Sequence, residues 1–103
     1  MGTPCIIKIE DVKYAKVYKH FDGYPEDTLK WLEDFNKDFV ENRGIDNDYK
    51  FAQLLRSSAR DAEKYKLDKS EYTGWGVIDY NERYDANYVY VLKNDGTVTY
   101  TEV

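Results

Sequence analysis

The change from strand to helix is encoded in residues 14–25, which read YAKVYKHFDGYP. Apolar and polar side chains alternate over residues 14–21, and this period of two is typical of a half-buried strand. Asp22 and Gly23 then interrupt the strand, and Gly23 is the residue expected to adopt a positive φ. Pro25 suits the first position of a helix, where no backbone N–H is needed, and Glu26 follows where negative charge favours the helix dipole.

The period of two for strands and the period of 3.6 for helices also predict the elements on either side of this stretch. Residues 5–10 form an extended apolar run that is expected to make a hairpin with residues 14–21. The first helix is expected to end near Asn42 and the second to run from Asp46 or Asn47 to near Lys66. The apolar face of the second helix repeats every three or four residues. The apolar face of the first helix comprises Leu29, Leu32, Phe35 or Phe39, and Val40.

Three further strands are expected in the last third of the chain, at residues 75–80, 87–92 and 98–102. The last two flank Asn94-Asp95-Gly96, a strong signal for a hairpin turn. The elements therefore follow the order ββ-αα-βββ. This order predicts a single α+β domain over residues 1–103, in which an antiparallel sheet carries two helices packed on one face.

Length and charge limit the classes of function. A chain of 103 residues has room for one domain, and its formal net charge is −5. Nucleic-acid binders are usually basic, so this charge disfavours nucleic acid and suits a basic partner. The single cysteine, Cys5, excludes an internal disulfide framework, and the sequence contains no apolar run long enough to span a membrane. We expect a cytoplasmic protein without a cofactor.

The segment Tyr18-Lys19-His20-Phe21-Asp22-Gly23-Tyr24-Pro25 resembles the motif of a family of small uncharacterised prokaryotic and phage-associated proteins. Members carry Tyr-Lys/Arg-x-x-Asp-Gly-Tyr-Pro after an N-terminal strand, often with His third, and end with a strand similar to residues 87–91. The resemblance implies a shared fold and a phage or mobile-element origin. It implies no chemistry, because the family has no activity that can be carried over.

One candidate site is the turn itself. If the strand persisted, His20 and Asp22 would share a face with Tyr18, and a carboxylate beside an imidazole suits acid–base chemistry or a weak metal site. Such a site needs a third polar group. In the simpler alternative, Asp22 binds backbone groups of its own turn and His20 packs beside Tyr18. The candidate residues are Tyr18, His20, Asp22, Gly23 and Tyr24, with Tyr24, Glu26 and Asp79 as candidates for the third group.

A second candidate site is a tyrosine-rich face of the sheet. If Val17, Phe21, Val89 and Val91 point at the helices, the far face presents Tyr14, Tyr18, His20, Tyr88 and Tyr90. Such a face could bind a protein partner or a second copy, be covered by residues 66–74, or stack unpaired bases. A basic stripe on the second helix, Arg56, Arg60 and Lys64, is most simply a solvated face.

Together these patterns favour a small cytoplasmic protein-binding module that acts through the turn or the tyrosine-rich face. The alternatives are a small enzyme or metal-dependent protein that uses His20 and Asp22, and a single-stranded nucleic-acid binder. The sequence favours a role without catalysis, since no established catalytic motif occurs in it.

Overall fold

A computed structural model describes residues 2–59 and 74–103, which form two helices and a five-stranded sheet. The helices are α1 (Pro25–Arg43) and α2 (Asn47–Arg56). The strands are β1 (Cys5–Ile9), β2 (Ala15–Lys19), β3 (Trp75–Asp79), β4 (Tyr88–Leu92) and β5 (Val98–Glu102). The α+β class is confirmed, and the elements follow one another as ββ-αα-βββ.

The sheet is mixed, so the prediction of a purely antiparallel sheet is wrong. The strands lie in the order β3-β2-β1-β4-β5. β1 runs antiparallel to β2 but parallel to β4, with Cys5 opposite Tyr88 and Ile9 opposite Leu92. Alternating apolar residues specify a half-buried strand but not its neighbour, which is chosen by packing across the whole chain.

The connection between β3 and β4 crosses the sheet. These two strands point the same way, and β2 and β1 lie between them. At its two ends the connection, residues 80–87, bonds to residues that flank β2 and β1: the Tyr80 N–H donates to the Tyr14 carbonyl at 3.4 Å, and the Asn87 N–H to the Pro4 carbonyl at 2.9 Å. This crossing keeps β4 parallel to β1.

The core lies between the sheet and the helices. Inward-facing residues of β1 and β4 meet Leu32 of α1 and Phe51 and Leu54 of α2 in one cluster. Each fully buried Leu or Ile in such a cluster contributes about 1.5–3 kcal/mol relative to exposure. Both helices therefore pack on the same face. The buried inward-facing residues of the two strands are Cys5, Ile7, Ile9, Tyr90 and Leu92, and partly buried Tyr88 packs against them.

The buried face of α1 is shifted from the predicted one. The helix buries Thr28, Leu32, Asn36 and Phe39, while Val40 is only half-buried. Hydrophobic periodicity overlooked the two polar residues, which are buried because each makes hydrogen bonds. Asn36 Nδ2 donates to the carbonyls of Lys93 and Thr97 at 3.0 and 2.9 Å, which ties α1 to the β4–β5 hairpin.

Part of the predicted second helix cannot be compared. α2 ends at Arg56, so the expectation of one uninterrupted helix to Lys66 is wrong. Residues 60–66 of that helix, the stripe residues Arg60 and Lys64, and all but the last residue of the proposed cover by residues 66–74 lie outside the described residues. Of the two described helices, neither combines the length and the apolar character that crossing a bilayer requires.

Candidate functional site

The turn after β2 is built on a tight backbone contact. Asp22 adopts a φ of 51°, so the expectation that Gly23 supplies the positive φ is wrong. Gly23 is required for a different reason: a Cβ there would lie 2.5 Å from the Thr3 carbonyl oxygen and 2.7 Å from Cys5 Cβ. The Gly23 N–H also donates to the Thr3 carbonyl at 2.7 Å, which fastens the turn to the segment before β1.

Side chains from three elements hold the carbonyls of this turn. The ammonium of Lys19, a buried residue at the end of β2, donates to the Phe21 carbonyl and to the Asp22 carbonyl at 3.3 Å. Thr28 Oγ1 of α1 also donates to the Asp22 carbonyl, at 2.5 Å. The turn is therefore a rigid structural joint that fixes the start of α1 against the sheet.

Tyr90 completes this joint from β4. It is fully buried, and its hydroxyl donates to the Gly23 carbonyl at 2.6 Å. Burial raises the pKa of this phenol far above its ordinary value. Placing Tyr90 on an exposed face was wrong because the parallel register sets it beside inward-facing Ile7, so Val89 and Val91 point outward instead.

The predicted His20–Asp22 pair does not form. β2 ends at Lys19, so the alternation that would have placed both side chains on one face stops before His20. Exposed His20 packs against Tyr18 with ring centroids 5.0 Å apart, and none of its contacts with described residues is to Asp22. Asp22 Oδ1 instead accepts the Tyr24 hydroxyl at 3.5 Å.

Of the three candidate third groups, Tyr24 contacts Asp22, whereas Asp79 and Glu26 have no contact with it among the described residues. Asp79 ends β3, opposite Ala15, and so lies at the other end of the sheet from the turn. Glu26 is exposed in the first turn of α1. Across residues 2–59 and 74–103, no group of three His, Cys, Asp or Glu side chains is arranged to hold a metal ion.

The outer face of the sheet, away from the helices, is covered from within the chain. Tyr84 of the crossing connection stacks on Tyr18 with ring centroids 4.6 Å apart, and its hydroxyl lies 3.4 Å from His20 Nδ1. Lys8 places its ammonium 5.0 Å from the Tyr80 ring. Residues 80–87 therefore cover part of the outer face. The tyrosines of that connection are the sequence feature from which this cover could have been predicted.

Tyr14 does not join this face. It is 58% exposed, but its hydroxyl donates to Asp48 Oδ1 of α2 at 2.7 Å, and its ring lies 6.0 Å from Phe51. The hydrogen bond to Asp48 raises the pKa of Tyr14. The structure thus divides the predicted tyrosine-rich face: Tyr18 lies outside, Tyr14 against α2, and Tyr88 and Tyr90 on the helix side.

An open groove lies where the start of α1 meets the ends of β4 and β5. It has a volume of about 410 Å³ and is lined by Pro25, Glu26, Tyr88, Tyr100 and Glu102. The Tyr88 and Tyr100 rings form two walls, with centroids 6.3 Å apart and planes inclined by 58°. We call this feature the acidic groove, because two carboxylates flank its aromatic walls.

The carboxylates of the acidic groove are electrostatically uncompensated. Neither Glu26 nor Glu102 has a salt-bridge partner among the residues that the structure describes. Desolvation raises the pKa of Tyr88, and Glu102 and Glu26 raise it further, so both charges act on the same wall. Sequence reasoning selected Tyr88 but missed Tyr100 and Glu102, although the hairpin turn predicts that β4 and β5 face each other.

A separate polar cluster lies at the opposite end of β1 and β4. Asn47 Nδ2 donates to the Glu10 carbonyl at 2.8 Å and to Asn94 Oδ1 at 3.0 Å, and the Asn94 N–H donates to Glu10 Oε1 at 2.7 Å. Lys50 is fully buried nearby, and its ammonium, 5.5 Å from the Phe39 ring, makes no hydrogen bond with the part of the chain that the structure describes. No sequence signal distinguished this lysine from a surface residue of α2.

Comparison of the chain with protein-family models, curated proteins and solved structures finds no match in any of the three. The geometry of the groove and of the neighbouring strand is therefore what supports a function.

Proposed function

We propose that this protein is a protein-binding module that takes an extended, basic segment of a partner as an additional strand on β5. The observation that carries this proposal is the position of β5 at the edge of the sheet, where, within residues 2–59 and 74–103, β4 is the only strand that pairs with it. Strand addition is a common mode of peptide recognition, in which backbone hydrogen bonds supply affinity and neighbouring pockets supply specificity.

The register of the β4–β5 hairpin identifies the backbone groups that are available. Hydrogen bonds join Lys93 to Thr97 and Asn87 to Val103. Because bonded and non-bonded pairs alternate in an antiparallel ladder, Thr99 and Thr101 also bond to β4. The N–H and C=O groups of Tyr100 and Glu102 consequently point away from β4, toward the edge.

The edge lacks most of the features by which proteins usually block strand addition, and Glu102 is the one charged residue of β5. Such features include proline, lysine and bulges within the edge strand. β5 reads VTYTE and has neither proline nor lysine, and its five residues pair with β4 in uninterrupted register. Residues 99–102 are exposed. These properties favour β5 as a surface that receives another strand.

Charge supports a basic protein segment as the partner. The chain carries a net charge of −5, and Glu26 and Glu102 lie beside the edge. The same carboxylates would repel phosphates, which disfavours single-stranded nucleic acid at this site. The contacts of His20 with described residues do not include Asp22, so they give no support to an enzyme that uses this pair. The phage or mobile-element origin implied by the motif stays a hypothesis.

The test uses the pentapeptide acetyl-VTKTV-amide as probe and amide hydrogen exchange of the whole chain as readout. We expect the peptide to slow exchange at Tyr100 and Glu102, whose N–H groups face the edge, and to leave Thr99 and Thr101 unchanged because they already bond to β4. Peptide binding that leaves Tyr100 and Glu102 unaffected, or no binding at millimolar peptide, would contradict the proposal.

Two N-methylated peptides serve as matched controls. In a strand paired antiparallel with β5, the lysine opposite Tyr100 directs its N–H toward the edge, whereas the two threonines direct theirs away. N-methylation of the lysine should therefore abolish binding, and N-methylation of both threonines should not. Sedimentation of the free protein is the second control: a dimer with Tyr100 and Glu102 already protected would assign the edge to a second copy and overturn the proposal.

A further inference from the structure

We infer that the acidic groove binds the ammonium group of a lysine side chain on the incoming strand. This inference rests on the proposed function, because it names the side chain that the added strand places beside β5. Tyr100 directs its backbone toward the edge and its ring into the groove. A residue opposite Tyr100 on an added strand projects to the same side of the sheet and so reaches the groove.

The composition of the groove fits a cation. Aromatic rings attract a cation placed over their faces within about 6 Å of the centroid, and carboxylates add direct charge attraction. Tyr88 and Tyr100 supply two such faces, and Glu26 and Glu102 supply two carboxylates without a cationic partner among the described residues. Tyr100 is 45% exposed, so one wall is open to a ligand.

The angle between the walls favours an ammonium over a guanidinium. A guanidinium is planar and stacks best on one ring or between parallel rings, whereas an ammonium is compact and contacts surfaces in any orientation. The rings of Tyr88 and Tyr100 are inclined by 58°. A flat group aligned with one wall would stand at a steep angle to the other. A lysine head group meets both walls equally well.

Tyr90 and the turn hold this groove in shape. The Tyr90 ring lies 5.7 Å from Tyr100 and 6.4 Å from Tyr88, beneath both walls. Its hydroxyl bonds to Gly23, two residues before Pro25 of the groove. The turn identified from the sequence thus contributes to the groove by positioning Pro25 and Glu26, although His20 and Asp22 do not line it.

The first test uses butylammonium chloride alone, so that it does not depend on strand addition. We expect saturable changes in the NMR signals of the Tyr88 and Tyr100 rings, and no such changes with 1-butanol or with sodium chloride at equal ionic strength. The double variant Glu26→Gln/Glu102→Gln should weaken binding by about tenfold. Glu33→Gln, an exposed carboxylate elsewhere on α1, is the matched control and should bind like the parent. An unchanged affinity in the double variant would overturn the inference.

The second test compares three peptides that differ only at the central residue of acetyl-VTKTV-amide. The lysine peptide should bind about tenfold more tightly than its Nε-acetyl-lysine counterpart, and more tightly than the arginine peptide. Equal affinities, with Tyr100 still protected, would overturn the inference about the groove and leave the proposed function standing. If no peptide binds, the proposed function fails, and the butylammonium titration still decides what the groove recognises.

Discussion

Single side chains in this protein act as joints between elements that are distant in sequence. Tyr90 of β4 donates to the carbonyl of Gly23, and Lys19 of β2 donates to the carbonyls of Phe21 and Asp22. A buried carbonyl without a donor destabilises the folded state by about 1–3 kcal/mol, so these contacts matter more than their number suggests. Residues 18–25 are distinctive in the sequence, and the structure gives the reason: side chains of β2, α1 and β4 donate hydrogen bonds to the carbonyls of this turn.

Tyr90→Phe should lower the free energy of unfolding by about 1–3 kcal/mol at pH 7, because the Gly23 carbonyl loses its buried donor. It should also alter the response to alkali. The pKa of folded Tyr90 is raised above its ordinary value of 10.0, so the unfolded chain releases this proton first and stability falls as pH rises above about 10.

Urea denaturation of both proteins at several pH values checks this prediction. Above about pH 10 the parent should lose about 1.4 kcal/mol per pH unit more than Tyr90→Phe, as long as Tyr90 stays protonated in the folded state. Tyr100→Phe, which removes a partly exposed hydroxyl, is the control. Parallel pH curves for the parent and Tyr90→Phe would refute the assignment.

Lys50→Met should raise the free energy of unfolding at pH 7 by about 1–3 kcal/mol, since the buried ammonium has no hydrogen-bond acceptor among the described residues. Desolvation lowers the pKa of Lys50 from 10.5, and the charge of Glu10 offsets this only in part. The folded chain therefore gives up this proton before the unfolded chain does. Stability of the parent should rise as pH increases through the interval between the lowered pKa and 10.5.

The measurement for Lys50 is thermal and urea unfolding between pH 7 and about pH 9.5, below the range in which Tyr90 contributes. Lys50→Met should show no rise from this residue. Lys37→Met, which removes an exposed lysine of α1, should stay within about 0.5 kcal/mol of the parent. A Lys50→Met variant less stable than the parent at pH 7 would show that Glu10 and Phe39 outweigh the desolvation of the ammonium.

At the scale of elements, the existence and approximate position of the helices and strands were predictable, because each of them has its own local sequence pattern. Pro25 begins α1 as expected, and Asn94-Asp95-Gly96 lies in the hairpin between β4 and β5. The buried face of α1 was less predictable. Asn36 is polar, and only the positions of Lys93 and Thr97, far along the chain, explain why it is fully buried.

Asn36→Ala should separate α1 from the β4–β5 hairpin. The Lys93 and Thr97 carbonyls each lose one of two donors, since Lys93 also accepts the Gly96 N–H and Thr97 also accepts the Lys93 N–H. We expect a loss of about 1–3 kcal/mol and faster amide exchange around the hairpin turn. Asn42→Ala is the control, because Asn42 bonds within its own helix to Asp38. Equal effects of the two substitutions would show that Asn36 does not join these elements.

At the scale of the whole molecule, local patterns predicted the β1–β2 and β4–β5 hairpins but not that β4 lies beside β1 or β3 beside β2. The parallel pairing of Cys5 with Tyr88 and the crossing of residues 80–87 depend on packing across most of the chain. The misplacement of Tyr88 and Tyr90 is a separate error about which side of β4 faces the helices, and its correction exchanges the tyrosines of β4 with the valines. The acidic groove was not predicted either, because its residues come from three elements whose arrangement depends on packing across the chain.

The central position of β1 also has a consequence during protein synthesis. β1 can pair with β2 as soon as that hairpin emerges from the ribosome, but its other edge pairs with β4, which is made much later. Until then the nascent chain exposes the edge of an apolar strand whose sequence is CIIKI. Such an edge readily pairs with other chains. Slow translation between β2 and β4 should therefore favour aggregation, and fast completion of the chain should favour the native sheet.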